Sequence, residues 1–465
     1  MTRSIRMGSW LICSLMMLVS CVGAFGQEVR TQPSPSLTEP SIMIRPAGGF
    51  SRPDESTTAP TDIVRPKLDV VQPDLQSMLY SSEGILVETL DGKSVLSQSA
   101  NVGFNPASAV KLATALAALK NYGPDHRFDT AFWTNGTFDK STGIITGNLI
   151  VSGRDPSFHY EHAVDIAKEL NRLGIRTVTG DLIVPPKFTL NFDGSAQRSG
   201  DQLYDTLDAT RRPAAAARAW AMREVMSNSN AGEAPPSVAV MGAVYVDSVT
   251  PGAKMLLVHR SSKLVDILKV LLCYSNNFMA ERVGESVGGP EGVRRMAISE
   301  ASVDPGEISL STTSGLGVNR VTPRAMIKIF GALSEVLAKN NLTVSDILPV
   351  AGIDPGTLQR RYTDFRARGS VVAKTGTLTH TDGGASALVG QMRAANGETL
   401  RFVIFDRGGN IHASRMHQDA LISMIQALRG GPQPFPYKPS ALAMRLADTE
   451  MNPSKTRSEE FESAP

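Results

Sequence analysis

Cysteine is nearly absent from this 465-residue chain, which has three. Cys13 and Cys21 fall in an apolar N-terminal stretch, leaving Cys273 alone beyond it, so no disulfide framework can hold the folded part together. Cys273 ends the apolar run Val270-Leu271-Leu272-Cys273 and suits an inert core thiol better than a reactive one. A dominant charge is missing too: 47 Lys and Arg against 45 Asp and Glu give a net charge of +2. That balance leaves no electrostatic footprint for nucleic acid or for an acidic partner. No glycine-rich loop follows a strand in a phosphate-binding context, so nucleotide chemistry is not expected. The seven histidines are scattered apart from His159-Tyr160-Glu161-His162. That cluster invites a zinc reading but lacks a third ligand at a recognised spacing. We expect it to lie at the surface, and we expect neither a metal nor a cofactor.

What is present is ordinary for a soluble globular protein: 42% hydrophobic and 20% charged residues. The length allows two domains, or one large domain with an insertion. Met1-Thr2-Arg3-Ser4-Ile5-Arg6 is basic, residues 10–22 are apolar, and Ala24-Phe25-Gly26 offers small residues, the pattern of a signal peptide over 1–26. Leu18-Val19-Ser20-Cys21 also fits a bacterial lipoprotein box, in which Cys21 would carry lipid and attach the chain to a membrane. Both readings imply export, and a periplasmic location. Residues 27–70 are rich in Pro, Ser and Thr without an apolar period and are expected to be a disordered linker.

From there the pattern is that of an α/β (α+β) protein: an antiparallel sheet flanked by helices, with an inserted β-rich domain. We expect the main domain in two parts, 71–124 and 250–429, the insert at 125–249, and a disordered tail at 430–465. Gly84-Ile85-Leu86-Val87-Glu88-Thr89-Leu90, Asp91-Gly92 and Ser94-Val95-Leu96-Ser97 form a hairpin with its turn signal in place. Strands are expected at 370–378, 385–393 and 399–406, and helices at 163–172, 263–272 and 413–428.

The most informative stretch is Asn105-Pro106-Ala107-Ser108-Ala109-Val110-Lys111, followed by Leu112-Ala113-Thr114-Ala115-Leu116-Ala117-Ala118-Leu119. Asn105 can cap a helix and Pro106 is tolerated in its first turn, which places Ser108 and Lys111 one turn apart on one face. A serine hydroxyl needs a base before it is a useful nucleophile. A lysine serves as that base only when its ammonium form is destabilised, here by an Ala/Leu-rich wall and a second cation. Two further elements keep this one company. Ser275-Asn276-Asn277 follows an apolar helix, and Lys374-Thr375-Gly376-Thr377 lies on a strand begun by Val371-Val372-Ala373.

Serine-x-x-lysine, serine-x-asparagine and lysine-threonine-glycine in that order are a signature of penicillin-binding proteins and class A β-lactamases. Five further runs narrow the resemblance. They are Asn148-Leu149-Ile150-Val151-Ser152-Gly153-Arg154-Asp155-Pro156, His259-Arg260-Ser261-Ser262, Ser275-Asn276-Asn277-Phe278-Met279-Ala280-Glu281, Thr313-Ser314-Gly315-Leu316-Gly317 and Val318-Asn319-Arg320-Val321-Thr322-Pro323. From about residue 74 to residue 428 the chain resembles the serine D-alanyl-D-alanine carboxypeptidase/endopeptidase family of low-molecular-mass penicillin-binding proteins. The interval from Lys111 to Ser275 is short for members with two inserted domains, so one insert is expected.

The resemblance implies an exported serine D-Ala-D-Ala carboxypeptidase, endopeptidase or both, acting on peptidoglycan stem peptides and acylated by β-lactam antibiotics. It implies that Ser108 attacks, Lys111 takes the proton, Ser275 relays a proton to the leaving amine and Asn277 holds the substrate amide. Lys374 would keep Lys111 neutral by repulsion and favour the terminal carboxylate. Thr375 and Thr377 would offer hydroxyls to that carboxylate, and Gly376 would let an extended substrate approach the strand. Asn319 and Arg320 are placed either to brace the rim of the site or to hold a loop. A serine β-lactamase, or an inactive wall-binding scaffold of the same fold, remains the alternative.

Overall fold

The computed structural model describes residues 75–226 and 234–453. The expected signal peptide, Cys21, the Pro-rich linker and the acidic end of the tail lie outside the described residues.

Five antiparallel strands make the central sheet, in the order Val371–Leu378, Ala385–Arg393, Thr399–Arg407, Glu83–Thr89, Ser94–Gln98. The early hairpin thus completes a sheet begun by three C-terminal strands: Glu83 pairs with Asp406 and Thr89 with Leu400. Its turn contains Gly92 at φ 86°, which glycine adopts without steric cost. Ile85, Val87, Ala373, Leu388, Phe402 and Ile404 share a core with Leu421, Ile422 and Ile425 of the helix Ile411–Ala427. Leu86, Val372, Val389, Val403 and Phe405 join the opposite core, with Leu112 and Leu116 of the helix Lys111–Tyr122 and with Met326 and Phe330 of the helix Pro323–Lys339. A sheet covered on both faces is why these strands read as continuous apolar runs. Full burial of each such side chain stabilises by about 1.5–3 kcal/mol.

The helix expected to start at Asn105 begins later. A 3₁₀ turn, Ala107–Val110, comes first and the α-helix runs Lys111–Tyr122. Asn105 accepts a hydrogen bond from the Ala107 N–H at 3.1 Å, and Ala107 sits at φ 45°. A left-handed residue cannot continue a right-handed helix, so the helix starts after it. Every residue from Leu112 to Leu119 is buried, as an all-round apolar helix must be.

A second sheet of six strands has the order Val244–Val246, Leu182–Val184, Leu149–Gly153, Asp129–Thr134, Lys254–Arg260, Glu450–Pro453. Its core gathers Phe132, Leu149, Val151, Ile166, Leu170 and Leu203. Helices Tyr160–Arg172, Ala196–Leu207 and Ala214–Met226 lie in the same stretch, which is therefore less purely β than its pattern suggests. Two of the six strands come from outside 125–249.

One of them corrects the expected disordered tail, because the chain stays folded from Gly430 through Pro453. The helix Leu442–Ala447 buries Leu442 and Leu446, and Glu450–Pro453 pairs with Lys254–Arg260. Arg127 fastens this segment, at 3.0 Å from Asp448 and 3.1 Å from Glu450. Glu450-Met451-Asn452-Pro453 has little strand propensity of its own; the open sheet edge beside it supplies the order.

His159 and His162 are corrected as well: they are buried, not at the surface. His162 Nδ1 accepts the His159 N–H at 3.1 Å, and its Nε2 lies 3.1 Å from the Leu446 carbonyl. His162 meets the tail helix and packs against Phe158 and His259, and His159 packs against Phe192.

Candidate active site

The serine turn and the helix behind it bring Ser108 and Lys111 together. Lys111 is fully buried, and its Nζ lies 3.0 Å from Ser108 Oγ. The same nitrogen donates to Asn277 Oδ1 at 2.7 Å and to the Ser314 carbonyl at 2.5 Å. Burial pushes this amine down to about 7, against the opposing pull of Glu281. An amine at that value is half neutral near pH 7, and the neutral form can accept a hydroxyl proton.

Ser275-Asn276-Asn277 is a corner between two helices. Ser275 ends the helix Leu264–Tyr274 in the left-handed conformation, φ 57°. Asn276 caps the next helix, Asn277–Ser286, by accepting the Met279 N–H at 3.0 Å. Asn277 is then the first helical residue, with its side-chain oxygen on Lys111. A non-glycine residue in this conformation costs about 1–3 kcal/mol and persists where its surroundings over-determine it. Here Lys374 holds Ser275 Oγ at 2.8 Å, and the Thr357 N–H donates to the Cys273 carbonyl at 3.0 Å. Cys273 itself is buried, which pushes its thiol up to about 12.

Lys374 comes from the edge strand of the central sheet. Its Nζ donates to Ser275 Oγ at 2.8 Å and to the Thr375 carbonyl at 2.7 Å. The sequence pointed to an Ala/Leu-rich wall and a second cation, Lys374, as the causes of a depressed Lys111. Burial is the main cause there, and the like-charge effect falls on Lys374, held well below its ordinary value by burial first and Lys111 second. Gly376 has a structural reason of its own. A Cβ there would come 2.6 Å from the Pro106 carbonyl and 3.1 Å from Ala107 Cβ, so its bare backbone lets the strand press on the serine turn. Thr375 is buried and Thr377 half-buried, the latter accepting a bond from Arg415 Nη2 at 3.1 Å.

All five side chains singled out for chemistry therefore connect through two amines: Lys111 with Ser108 and Asn277, and Lys374 with Ser275. Gly315, at φ 88°, closes the back of the site, where a Cβ would lie 2.0 Å from the Ala107 carbonyl. At the rim Arg320 grips Asp382 at 2.5 and 2.8 Å, and Asn105 joins Asp382 to the Gly317 carbonyl at 3.2 and 3.1 Å. Asn319 accepts the Ser311 N–H at 2.8 Å, holding the loop.

Sequence reasoning assigned no role to Glu281, Ser314 or Arg415. Glu281 accepts the Ser314 N–H at 3.0 Å and the Thr313 hydroxyl at 2.8 Å. Burial pushes its carboxyl up, but these bonds outweigh it and hold the group below its usual range. Its position four residues after Asn277 puts it on the same helix face, a spacing that could have flagged it. Arg415 carries no such local signal.

The sequence model of the D-Ala-D-Ala carboxypeptidase 3 (S13) family matches residues 65–239 and 234–428. The D-alanyl-D-alanine carboxypeptidase of Actinomadura sp. (strain R39) is 27% identical over 449 residues, covering 75% of this chain and 82% of that protein. Two solved structures share the fold at lower identity. The penicillin G acylated Bd3459 predatory endopeptidase from Bdellovibrio bacteriovorus, in complex with immunity protein Bd3460, has a TM-score of 0.66 at 21% identity, covering 77% of this chain and 96% of that one. Penicillin binding protein 4 (dacB) from Haemophilus influenzae, complexed with a novel β-lactam, has a TM-score of 0.57 at 22% identity, covering 76% and 98%.

Proposed function

The chain belongs to the D-Ala-D-Ala carboxypeptidase 3 (S13) family of serine peptidases, and on that premise we propose that it cleaves peptidoglycan peptides through an acyl-enzyme at Ser108. Neutral Lys111 takes the Ser108 proton as Oγ attacks the carbonyl between two D-alanines. Ser275, hydrogen-bonded to Lys374, relays to the departing amine the proton that Lys111 took from Ser108, and as the C–N bond breaks Lys111 is neutral again. Water then attacks the ester and frees Ser108. Asn277 orients the substrate amide, and the Ser108 and Thr377 N–H groups stabilise the oxyanion; losing one such donor typically costs about 3 kcal/mol. The substrates are stem peptides ending in D-Ala-D-Ala and the cross-links made from them, met after export to the periplasm. Among the described residues no helix is long and apolar enough to cross a membrane.

The observation that carries this reading is a fully buried amine within 3.0 Å of a serine hydroxyl, where burial pushes the amine down to about 7. A β-lactamase would also need a carboxylate free to activate water. Glu281 accepts from Thr313 and Ser314, which anchors it to that loop. The test is incubation of wild type and Ser108→Ala with fluorescent penicillin and with purified wall fragments. Stable labelling of wild type alone, with loss of one terminal alanine or separation of stems by mass spectrometry, is expected. Equal labelling of both proteins removes the nucleophile, and rapid penicillin turnover supports the lactamase.

A further inference from the structure

The face of the central sheet that packs on the helix Ile411–Ala427 is apolar along most of its length and changes character at one end. Side chains two apart on a strand share a face, so Glu83 continues the row of Ile85 and Val87, and Asp406 that of Ile404 and Phe402. Glu83 and Asp406 are register partners, and they are only 3% and 4% exposed. His417 stands one turn before Leu421 on the facing helix, with its Nδ1 2.8 Å from Glu83 Oε1. Two carboxylates and an imidazole thus meet where the rest of the layer is hydrocarbon.

Each of the three is tied from behind. His417 Nε2 lies 2.8 Å from the Met78 carbonyl, which can only accept, so that nitrogen carries the proton and the neutral ring keeps a lone pair on Nδ1. Nδ1 is shut off from solvent and has no hydrogen-bond partner. The Tyr80 N–H donates to Glu83 Oε2 at 3.0 Å, and Gln418 donates to Asp406 Oδ2 at 2.6 Å. The Tyr80 ring packs edge-on against the imidazole, 4.9 Å between centres. What remains is one ligand atom from each residue, and the three lie within 4.8 Å of one another. Outer partners of this kind orient metal ligands, and a carbonyl on the histidine N–H fixes its tautomer. A tetrahedral zinc at about 2.1 Å from its ligands sets them about 3.4 Å apart, within reach of small side-chain rotations.

Charge points the same way. Among the described residues no lysine or arginine pairs with either carboxylate, so even a protonated His417 leaves one negative charge over when both are ionised. Burying that excess is costly. A divalent cation beside neutral His417 brings the three groups to zero. One imidazole nitrogen with two carboxylate oxygens suits zinc better than magnesium, which keeps an all-oxygen shell.

We propose that Glu83, Asp406 and His417 form a structural site for a divalent metal ion of the zinc class, which clamps the helix Ile411–Ala427 onto the first strand of the sheet. The site stands apart from the acyl-transfer reading, which uses none of these three groups.

The test is titration of the untagged full chain with Zn2+, after EDTA treatment and gel filtration, followed by calorimetry, native mass spectrometry and thermal unfolding. Wild type is expected to take up one Zn2+ and to unfold about 3–5 °C higher when zinc is a hundredfold above its Kd. Mg2+ should give no such shift. Glu83→Gln, Asp406→Asn and His417→Gln should each weaken zinc uptake by about 100-fold. Asp406→Asn, nearly the same shape, carries the comparison if His417→Gln does not fold. No stoichiometric uptake by wild type overturns the site and leaves a proton to balance the two carboxylates. Uptake of wild-type affinity in the three variants overturns it as well, by placing the zinc elsewhere. Penicillin labelling of Ser108, measured on the same samples, judges the peptidase reading separately.

Discussion

Lowering the pH should switch off acylation of Ser108, with an acid limb centred at about 7. The cause is desolvation: Lys111 has no solvent exposure, and an ammonium there is disfavoured despite the opposing pull of Glu281. Only the neutral amine can accept the hydroxyl proton, so activity must fall as protons are added. The neutral fraction is about one half at pH 7, about a tenth at pH 6 and about a hundredth at pH 5. An amine left at 10.5 would offer about a thousandfold less free base at pH 7. Glu281→Gln sharpens the test, because the amide can still accept the Ser314 N–H but no longer favours the ammonium. Its acid limb should move to lower pH by up to about one unit. The assay is the second-order rate of labelling by fluorescent penicillin between pH 5 and 9. A rate independent of pH over that range, or a limb that moves upward in Glu281→Gln, would falsify the assignment of Lys111 as the base.

Two further changes probe what holds the site together. Gly315→Ala forces a methyl to within 2.0 Å of the Ala107 carbonyl at a left-handed φ. It should abolish most penicillin labelling and destabilise by on the order of 3 kcal/mol in urea unfolding, and an unchanged midpoint would refute the close approach. Ending the chain at residue 440 removes the buried Leu442 and Leu446 and the strand Glu450–Pro453. Two buried leucines alone imply a loss of about 3–6 kcal/mol, and wild-type stability in denaturant titration would return the tail to a dispensable appendage.

Much of the site was legible because its parts obey local rules. Asn105, Pro106 and the apolar run after Lys111 announce a helix start, and Val371-Val372-Ala373 announces the strand beneath Lys374. The departures have physical causes that local rules miss. Ala107 turns left-handed because Asn105 captures its N–H, which delays the helix to Lys111. His159 and His162 look solvated by type, yet both are buried, and the helix Leu442–Ala447, remote in sequence, meets His162. Glu281 was visible as a residue and invisible in role, since its partners Thr313 and Ser314 arrive from another loop.

By itself, then, the sequence determined the order and identity of the candidate reactive groups, the continuous apolar strands, and the helix that carries Lys111, because periodicity, caps and side-chain chemistry act over a few residues. The tertiary structure alone decided how basic Lys111 is, why Gly376 has no side chain, that residues 430–453 stay folded, and that Arg415 stands beside Thr377. Desolvation, steric approach and edge pairing depend on neighbours hundreds of residues away, and no local pattern encodes that distance.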